Sequence, residues 1–410
     1  MNPIFSALLR NKTGALLVAV QVAISMAILS NALHIVNVRQ AVAARPSGIA
    51  DEKSVFYISS RYLTRESAEY DRAVQQRELE LLRAIPGVAS VATVSQMPLS
   101  QSGNTSSVSI DRKQVNESAN TSTFRSGDSL IATWQLKLVE GRDFTAADVL
   151  EADTQVSQEF PKTVIITHAL AEKLWPAQSS VVGKTLLFGI GEDARSTQVI
   201  GVVERLQTDR AQVDEEGEFS SLLPFRPLGG IPGATYTVRT TPGERDRVIK
   251  EAEAAMGKSA NVPVIVTAKT TENDRKERYR ADMALSWTLV AVSILLLVIT
   301  ASGIVGMASL WVTQRRKQIG VRRALGARRA DILRYFVAEN MMITGAGVIS
   351  GVLLAIGLNQ LLVIKLQMAR LPLGYLLTGT GIFFALGIIA VYGPAWRAAS
   401  ISPALATRSA

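Results

Sequence analysis

The sequence has no cysteine and only two histidines among its 410 residues. The absence of cysteine excludes a disulfide and a cysteine nucleophile. It does not exclude an oxidising compartment, because a large domain can be held together by its own core. His34 and His168 have no neighbours at the spacing of metal ligands, so we interpret both as structural histidines.

Catalytic motifs are also missing. The sequence contains no G-x-S-x-G elbow and no paired-histidine zinc motif. Val181–Thr185 resembles the end of a phosphate-binding loop, but that loop requires glycine at the position of Gln178. The acidic run Asp214–Phe219 is most simply a solvated loop, with a cation site as the alternative. We therefore predict that this chain is not an enzyme by itself and binds no metal or cofactor of its own.

Four long segments contain no Asp, Glu, Lys or Arg. About 20 helical residues cross the roughly 30 Å of bilayer hydrocarbon, and each segment is longer than that. The mean hydropathy of +0.20 suits a chain that combines membrane spans with a large soluble part. The segments predict four transmembrane helices, over Thr13–Val38, Met283–Gln314, Asn340–Ile364 and Leu371–Trp396.

Positive charge is concentrated beside these segments. The formal net charge is +9, yet residues 39–282 hold 30 Lys and Arg against 33 Asp and Glu, a charge of −3. This distribution argues against a nucleic-acid partner and indicates basic membrane flanks, which mark cytoplasmic ends. We therefore predict cytoplasmic termini and an exported region at residues 39–282. The bases are Arg10 and Lys12 before the first span, eight in Gln314–Phe336 after the second, Lys365 and Arg370 after the third, and Arg397 and Arg408 after the fourth.

Ionisable residues are scarce within the spans, where only His34 and Glu339 lie near the ends. Ion-driven carriers usually need such groups near the bilayer midplane, so this scarcity disfavours a secondary transporter and favours an external energy source.

Gly347 and Gly351 have G-x-x-x-G spacing, which fits either close packing within one subunit or a dimer interface.

The first span has a cleaved signal peptide as its alternative. Ala41, Val42 and Ala43 resemble a small-residue cleavage site after an apolar run. The apolar stretch exceeds the roughly 7–15 residues of a usual signal-peptide core, which favours a retained span.

The exported region has the pattern of an α+β domain. Charged helices are predicted at 67–85 and 244–256, each followed by a β-branched strand, and these two helix-then-strand units look like related halves. Further short strands lie between them, and the polar stretch 102–123 predicts a mobile loop or a hairpin. The sequence thus predicts a membrane protein with four transmembrane α-helices, one plus three, and a large α+β extracytoplasmic domain between the first and second helices.

We divide the chain into three regions. Residues 1–40 form the N-terminal flank and first helix, 41–282 the exported domain, and 283–410 three helices with a coupling region at 314–336. Within the exported domain, we assign 50–115 and 210–275 to an outer α+β part and 120–209 to an inserted part.

The segment Gln314–Phe336 combines eight bases, two glycines and an apolar seam. We predict that the second span continues as a helix through this segment, and that Gly326 forms a left-handed cap before a new helix near Arg328. Charge alone would suit a flank on anionic lipid headgroups. The apolar Ile319, Val321 and Leu325 instead suit a short helix that docks in a groove of a partner protein.

Several motifs in order resemble one family. The stretch RRKQIGVRRALGARRADILRYFVAEN and the ending PAWRAASISPALATR are similar to FtsX-like and MacB-like ABC transporter permeases. The exported stretches LLRAIPGVASVATVS, LVEGRDFTAADV, ITHALAEKLWPAQSSVVGKTL and VIGVVERL are similar to that family's periplasmic core domain. The resemblance covers almost the whole chain and includes the one-plus-three order of spans.

The resemblance implies a permease subunit in the bacterial inner membrane without its own motor. It implies an ABC ATPase dimer that binds ATP and Mg²⁺, a second permease copy or a related permease, membrane lipid, and in some systems a periplasmic adaptor with an outer-membrane channel. ATPase closure would move the periplasmic domains, a mechanism called mechanotransmission. By position, the residues implied to contact the ATPase are Ile319, Gly320, Arg322, Ala324, Leu325 and Gly326.

One position departs from the family pattern. Gln318 stands where the family usually has glutamate, which fits either one half of a heterodimer or a harmless substitution.

Three functions stay open: export of a peptide, antibiotic or lipid-linked cargo; a signalling permease that activates an envelope hydrolase or sensor; and a membrane-anchored scaffold without an ATPase. The exported domain's size favours the first over the second, and the coupling motif disfavours the third.

Overall fold

A computed structural model describes residues 12–63, 67–229, 233–260, 262–366 and 370–400. Arg10, Arg408 and the end of the C-terminal motif lie outside these residues. The chain forms two compact units. Residues 1–41 and 282–410 form one, called here the helical unit, and residues 42–281 form the other, called the sheet unit.

The helices of the described residues are, in chain order, α1 (Lys12–Ala43), α2 (Ala68–Arg83), α3 (Leu130–Trp134), α4 (His168–Leu174), α5 (Arg245–Ser259), α6 (Thr271–Gln314), α7 (Arg316–Ala324), α8 (Arg329–Leu366) and α9 (Leu373–Ala399). The strands are β1 (Val55–Tyr62), β2 (Val88–Thr93), β3 (Thr105–Ser109), β4 (Ala119–Ser126), β5 (Leu138–Gly141), β6 (Leu150–Asp153), β7 (Thr163–Thr167), β8 (Thr185–Phe188), β9 (Arg195–Val203), β10 (Ser220–Leu228), β11 (Ala234–Thr240) and β12 (Val264–Thr270).

Four of these helices, α1, α6, α8 and α9, are long and apolar enough to cross a membrane. Helix α1 is the central one of the four. Within its most apolar stretch of 18 residues, 56% of the residues are buried in the chain, against 17% for α6. An exposed apolar face is stable only against lipid or another apolar surface, which is the arrangement expected of membrane spans.

Glycines allow α1 to approach its neighbours closely. A Cβ on Gly347 or Gly351 of α8 would lie within 3 Å of backbone carbonyls of α1, those of Ala19 and Ala23. A Cβ on Gly379 of α9 would instead meet α1 at the side chains of Met26 and Ser30. The G-x-x-x-G pair therefore packs within the chain, which selects the first of the two interpretations of this motif.

Polar side chains add specific contacts between the helices. Asn31 of α1 donates a hydrogen bond of 3.1 Å to the carbonyl of Ala355 on α8. Asn340 of α8 donates one of 3.0 Å to the carbonyl of Gly387 on α9. In hydrocarbon such groups have no water to bond, so these contacts fix which helix faces meet.

The four-stranded sheet of the sheet unit has the strand order β12-β1-β11-β2, and all its pairs are antiparallel. Helices α2 and α5 cover one face and share an apolar core with it, which includes Phe56, Leu82, Tyr236 and Val248. The order β1-α2-β2 followed by β11-α5-β12 is the split β-α-β arrangement, and it contains the two helix-then-strand units that the sequence predicts.

The remaining strands form a second sheet inserted between β2 and β11. Six of them pair in a closed circuit, β4-β3-β8-β9-β7-β10 and back to β4, and β5 and β6 pair with β9 and β10 outside that circuit. Closure leaves no free edge in the six-stranded part, which is a barrel. Leu170 and Leu174 of helix α4 pack with the barrel's apolar side chains, among them Ile166 and Val199.

Two strands lie elsewhere than the sequence division places them. The sequence places 50–115 and 210–275 in the outer part, but β3 and β10 belong to the barrel.

The polar stretch 102–123 is a hairpin, as one of its two interpretations predicts, because β3 pairs with β4. Its hydroxyls are buried and bonded, for example Ser122 to the carboxylate of Asp209 at 2.9 Å, so a strand without apolar alternation is stable there.

The contact between α1 and α8 predicts the effect of one added methyl group. Gly351→Ala places a Cβ 2.7 Å from Met26, so we expect a loss of stability of about 1–3 kcal/mol from overpacking. Gly357→Ala on the same helix is the matched control, since its Cβ meets nothing within 4 Å. Thermal unfolding of both purified variants in detergent measures the difference. Equal stability of the two variants would contradict the close α1–α8 contact.

Candidate coupling site

The site begins with a break between α6 and α7 at Arg315, where the sequence predicts an uninterrupted helix. The guanidinium of Arg315 forms an ion pair of 2.7 Å with Glu339 of α8, whose side chain is 1% exposed. A buried carboxylate needs a charged partner, and Arg315, at the turn between the two helices, supplies it. The prediction of a continuous helix was wrong, because the backbone at Arg315, with φ −102° and ψ 10°, departs from helical values.

The end of α7 follows the sequence prediction. Gly326 has φ +98° and lies one residue beyond the cap residue Leu325. Its N–H donates to the carbonyl of Arg323 at 3.2 Å, and the N–H of Ala327 donates to that of Arg322 at 3.1 Å. This pair of bonds is a Schellman motif, which ends a helix at a left-handed glycine. The predicted cap is confirmed.

Two of the six predicted coupling residues are buried. Ile319 is 5% exposed and joins the apolar cluster that contains Ile332, Phe336 and Ala398 of α8 and α9. Gly320 is buried beside it. These two residues hold α7 against the helical unit, and the described surface of α7 is formed by others.

The other four residues, Arg322, Ala324, Leu325 and Gly326, are exposed. Leu325 is 83% exposed, and Val321, one turn earlier on the helix, is 50% exposed. Arg322 lies 5.2 Å from the ring centroid of Tyr335, a cation–π contact that orients its side chain. We call Val321, Arg322, Ala324, Leu325 and Gly326 the coupling surface. It presents apolar side chains beside the positive charge of Arg322.

Glu339 and Asp331 complete this site and were not among the predicted residues. Asp331 accepts a hydrogen bond of 2.9 Å from the backbone N–H of Arg328 at the start of α8. The signal was present in the charge distribution, because these are the two acidic residues of the chain outside residues 39–282. Two carboxylates beside eight bases indicate specific partners rather than solvated charges.

A second group of contacts lies in the sheet unit, at the first turns of α6. Arg275 donates to both carboxylate oxygens of Glu52, at 2.6 and 2.9 Å. It also donates to the carbonyls of Ala43 and Arg45, each at 2.9 Å. Arg278 donates to the carbonyl of Ala211 at 3.0 Å. We call Glu52, Arg275 and Arg278 with these carbonyls the α6 anchor.

Charge is strongly stabilised in the α6 anchor. Burial raises the pKa of Glu52, but hydrogen bonds from Arg275 and Ser47 and the charge of Arg275 together lower it by more, so its pKa lies below the ordinary value. The two-pronged pairing of guanidinium and carboxylate is the strongest form of a charge-assisted hydrogen bond. The anchor therefore fixes the start of α6 against the sheet unit.

The histidines and the apparent phosphate loop take no part in such sites. His34 lies 5.1 Å from the ring of Tyr375, and His168 is exposed beside Glu172. Residues 181–185 form a turn and the start of β8. In the described part of the chain, no group of three or more His, Asp or Glu side chains is arranged to hold a metal ion.

An inserted α+β domain followed by three apolar helices is the arrangement of a permease. Residues 17–272 match the MacB-like periplasmic core domain, and residues 290–403 match the FtsX-like permease C-terminal domain. The chain therefore belongs to the family of MacB-like and FtsX-like ABC transporter permeases. It is a multi-pass membrane protein with a periplasmic domain between its first and second apolar helices.

Several curated proteins are similar over most of this chain. The macrolide export ATP-binding/permease protein MacB of Agrobacterium fabrum is 27% identical over 73% of this chain and 45% of its own length. The pyoverdine export ATP-binding/permease protein PvdT of Pseudomonas syringae pv. syringae is 24% identical over 68% and 41%. The MacB of Syntrophobacter fumaroxidans is 33% identical over 57% and 35%. The chain thus spans less than half the length of the curated relatives it matches.

A solved domain of a permease protein from Porphyromonas gingivalis also aligns with the chain. It is 18% identical, and the alignment covers 53% of this chain and 91% of that domain with a TM-score of 0.33.

The α6 anchor predicts a pH-dependent contribution to stability. Glu52→Gln should lower the free energy of unfolding at pH 7 by about 2 kcal/mol, because charge-assisted hydrogen bonds are lost. The folded-state pKa of Glu52 is lowered, so its contribution is present above the pKa of an unfolded glutamate, about 4.3, and is lost as the pH falls below it. The difference between the proteins should shrink at acidic pH.

Calorimetric scans of the purified protein at several pH values measure this effect. Glu204→Gln is the control, since its ion pair with Lys137 is exposed and such pairs contribute little. A Glu52→Gln deficit that is equal at pH 7 and pH 3 would contradict the role of the charge.

Proposed function

We propose that this chain is the permease subunit of an ABC transporter in the bacterial inner membrane, with both termini in the cytoplasm. The observation that carries the proposal is the coupling surface, where Leu325 and Val321 are exposed between bases on a short helix joining two apolar helices. An ABC ATPase dimer, which binds ATP and Mg²⁺, occupies this surface. An apolar side chain in a partner's groove supplies affinity, and the surrounding charges supply orientation.

The coupling surface transmits movement through α7. Buried Ile319 and the ion pair of Arg315 with Glu339 attach α7 to the helical unit, so a displacement of Leu325 moves the end of α6. Helix α6 continues for 44 residues, about 66 Å at 1.5 Å per residue. Its other end carries Arg275 in the α6 anchor. A stiff helix held at both ends is suited to mechanotransmission.

Movement of the periplasmic domain then acts on cargo at the outer side. The names of the relatives, macrolide export and pyoverdine export, support export of a small molecule, peptide, antibiotic or lipid-linked cargo. A second permease copy, or a related permease, completes the assembly, and a periplasmic adaptor with an outer-membrane channel extends it.

Gln318 is exposed on α7 and is uncharged where the family usually has glutamate. The missing negative charge alters pairing with the ATPase in one half of a heterodimer.

Leu325→Glu tests the coupling surface. A carboxylate in an apolar groove loses its hydration without a partner, so we expect the ATPase to be lost from the purified complex while membrane insertion stays intact. Val115→Glu is the control, because Val115 is 87% exposed in the periplasmic domain. Quantitative mass spectrometry of the affinity-purified complexes measures ATPase recovery. Unchanged recovery with Leu325→Glu would contradict the assigned role.

Arg275→Ala tests transmission separately from assembly. We expect the ATPase to remain bound and to hydrolyse ATP, while ATP-dependent changes in amide hydrogen exchange of the sheet unit are lost. Lys276→Ala is the matched control, since Lys276 is exposed and its ion pair, with Glu272, lies outside the α6 anchor. Wild-type exchange changes in the Arg275→Ala complex would contradict a link through the α6 anchor.

A further inference from the structure

A cleft at the rim of the barrel has no role in the coupling described above. One cavity of about 320 Å³ is lined by Arg125, Arg195, Phe160 and Phe225. A second cavity, of about 350 Å³, shares Arg125, Thr154 and Phe225 with the first. The shared side chains make them adjoining parts of one depression, which we call the arginine cleft.

Three parts of the barrel bring these side chains together. Arg125 is near the end of β4, opposite Leu223 of β10, and Phe225 follows two residues later on β10. Arg195 is the first residue of β9, opposite Phe188 of β8. Phe160 lies in the segment between β6 and β7, with its ring 5.2 Å from that of Phe188. Rigid strands therefore position both guanidinium groups.

The two arginines have aromatic neighbours in place of carboxylates. Arg125 lies 5.9 Å from the ring centroid of Phe225, and Arg195 lies 5.4 Å from that of Phe160. Among the described residues, neither forms an ion pair. Glu159 also lines the cavity, and it is exposed without a bond from either guanidinium. By contrast, Arg226, in the adjoining part of the cleft, pairs with Asp128 and Glu151.

Glu159 and Asp71 line the cleft, but among the described residues neither Arg125 nor Arg195 has a carboxylate within ion-pair distance. Burial lowers the pKa of Arg125, and the neighbouring charge of Arg195 lowers it further. Arg125 is partly desolvated and is repelled by the charge of the exposed Arg195, so an anion that accepts hydrogen bonds from both relieves this repulsion. The planar fork of arginine matches the two oxygens of a carboxylate or phosphate group.

The walls of the cleft add an apolar requirement. Phe160 and Phe225 face the same cavity as the guanidinium groups, and its volume falls within the roughly 300–1,000 Å³ of small-molecule sites. An inorganic anion alone would leave these rings without a contact.

We propose that the arginine cleft binds an anionic amphiphile, in which a carboxylate or phosphate group is joined to an apolar or aromatic body. Arg125 and Arg195 bind the anionic group, and Phe160 and Phe225 contact the apolar body. The site stands on the geometry of the periplasmic domain and does not rest on the proposed ATPase coupling.

Binding of small water-soluble probes to the full-length chain in lipid nanodiscs tests the proposal without an ATPase. The probes are 4-phenylbutyrate, 4-phenylbutyl phosphate, the neutral 4-phenylbutanol and inorganic phosphate, with affinity measured by titration calorimetry. We expect the two anionic amphiphiles to bind saturably, and the neutral analogue and inorganic phosphate to bind at least about tenfold more weakly. The better of the two amphiphiles identifies the preferred anionic group.

Variants assign the binding to the cleft. Arg125→Gln and Arg195→Gln should each weaken binding about tenfold or more, and Arg125→Lys should weaken it through loss of the fork. Arg61→Gln, an exposed arginine on β1, is the control and should bind like wild type. Melting temperatures of all variants separate a lost site from a lost fold. Equal affinity for 4-phenylbutanol, tight binding of phosphate alone, retained affinity in folded arginine variants, or no saturable binding by any probe would each overturn the proposal.

Discussion

The hydrogen bonds of one guanidinium connect the parts of the sheet unit through which the chain enters and leaves. Arg275, in the first turns of α6, holds Glu52 and also the carbonyls of Ala43, the last residue of α1, and of Arg45. Both chain segments that lead to apolar helices are thereby fixed to one charged pair. Without such a connection, movement of a span would be absorbed by the loop beside it. The proposed mechanism depends on this constraint to carry movement of α6 into the sheet unit.

The amino-acid sequence was most informative where one physical requirement dominates. A helix in hydrocarbon cannot carry charge cheaply, so four charge-free runs predict the four long apolar helices. The left-handed cap at Gly326 was predictable too, because glycine adopts that backbone conformation without the steric cost of a Cβ. The G-x-x-x-G pair could not be assigned from sequence, since contact with α1 and contact with a second subunit need the same two small residues.

Sequence patterns failed where the decisive partner is distant in the chain. Arg275 and Glu52 are 223 residues apart, and no local periodicity connects them. Strand β4 contains buried hydroxyls, whose partners such as Asp209 lie in another part of the fold. Ile319 and Gly320 are buried because α8 and α9 pack against them, whereas Leu325 is exposed. The spacing of residues along α7 alone does not distinguish the buried residues from the exposed one. The assignment of the coupling residues stays a prediction.

The central claim, that an ABC ATPase drives this permease, is tested most directly by gentle affinity purification of the chain from its native membrane. Mass spectrometry then identifies everything recovered in near-stoichiometric amounts. We expect an ABC ATPase, and a second permease in the same complex would identify a heterodimer. Absence of any ATPase, under conditions in which a known permease retains its own, would contradict the account and favour a membrane-anchored scaffold.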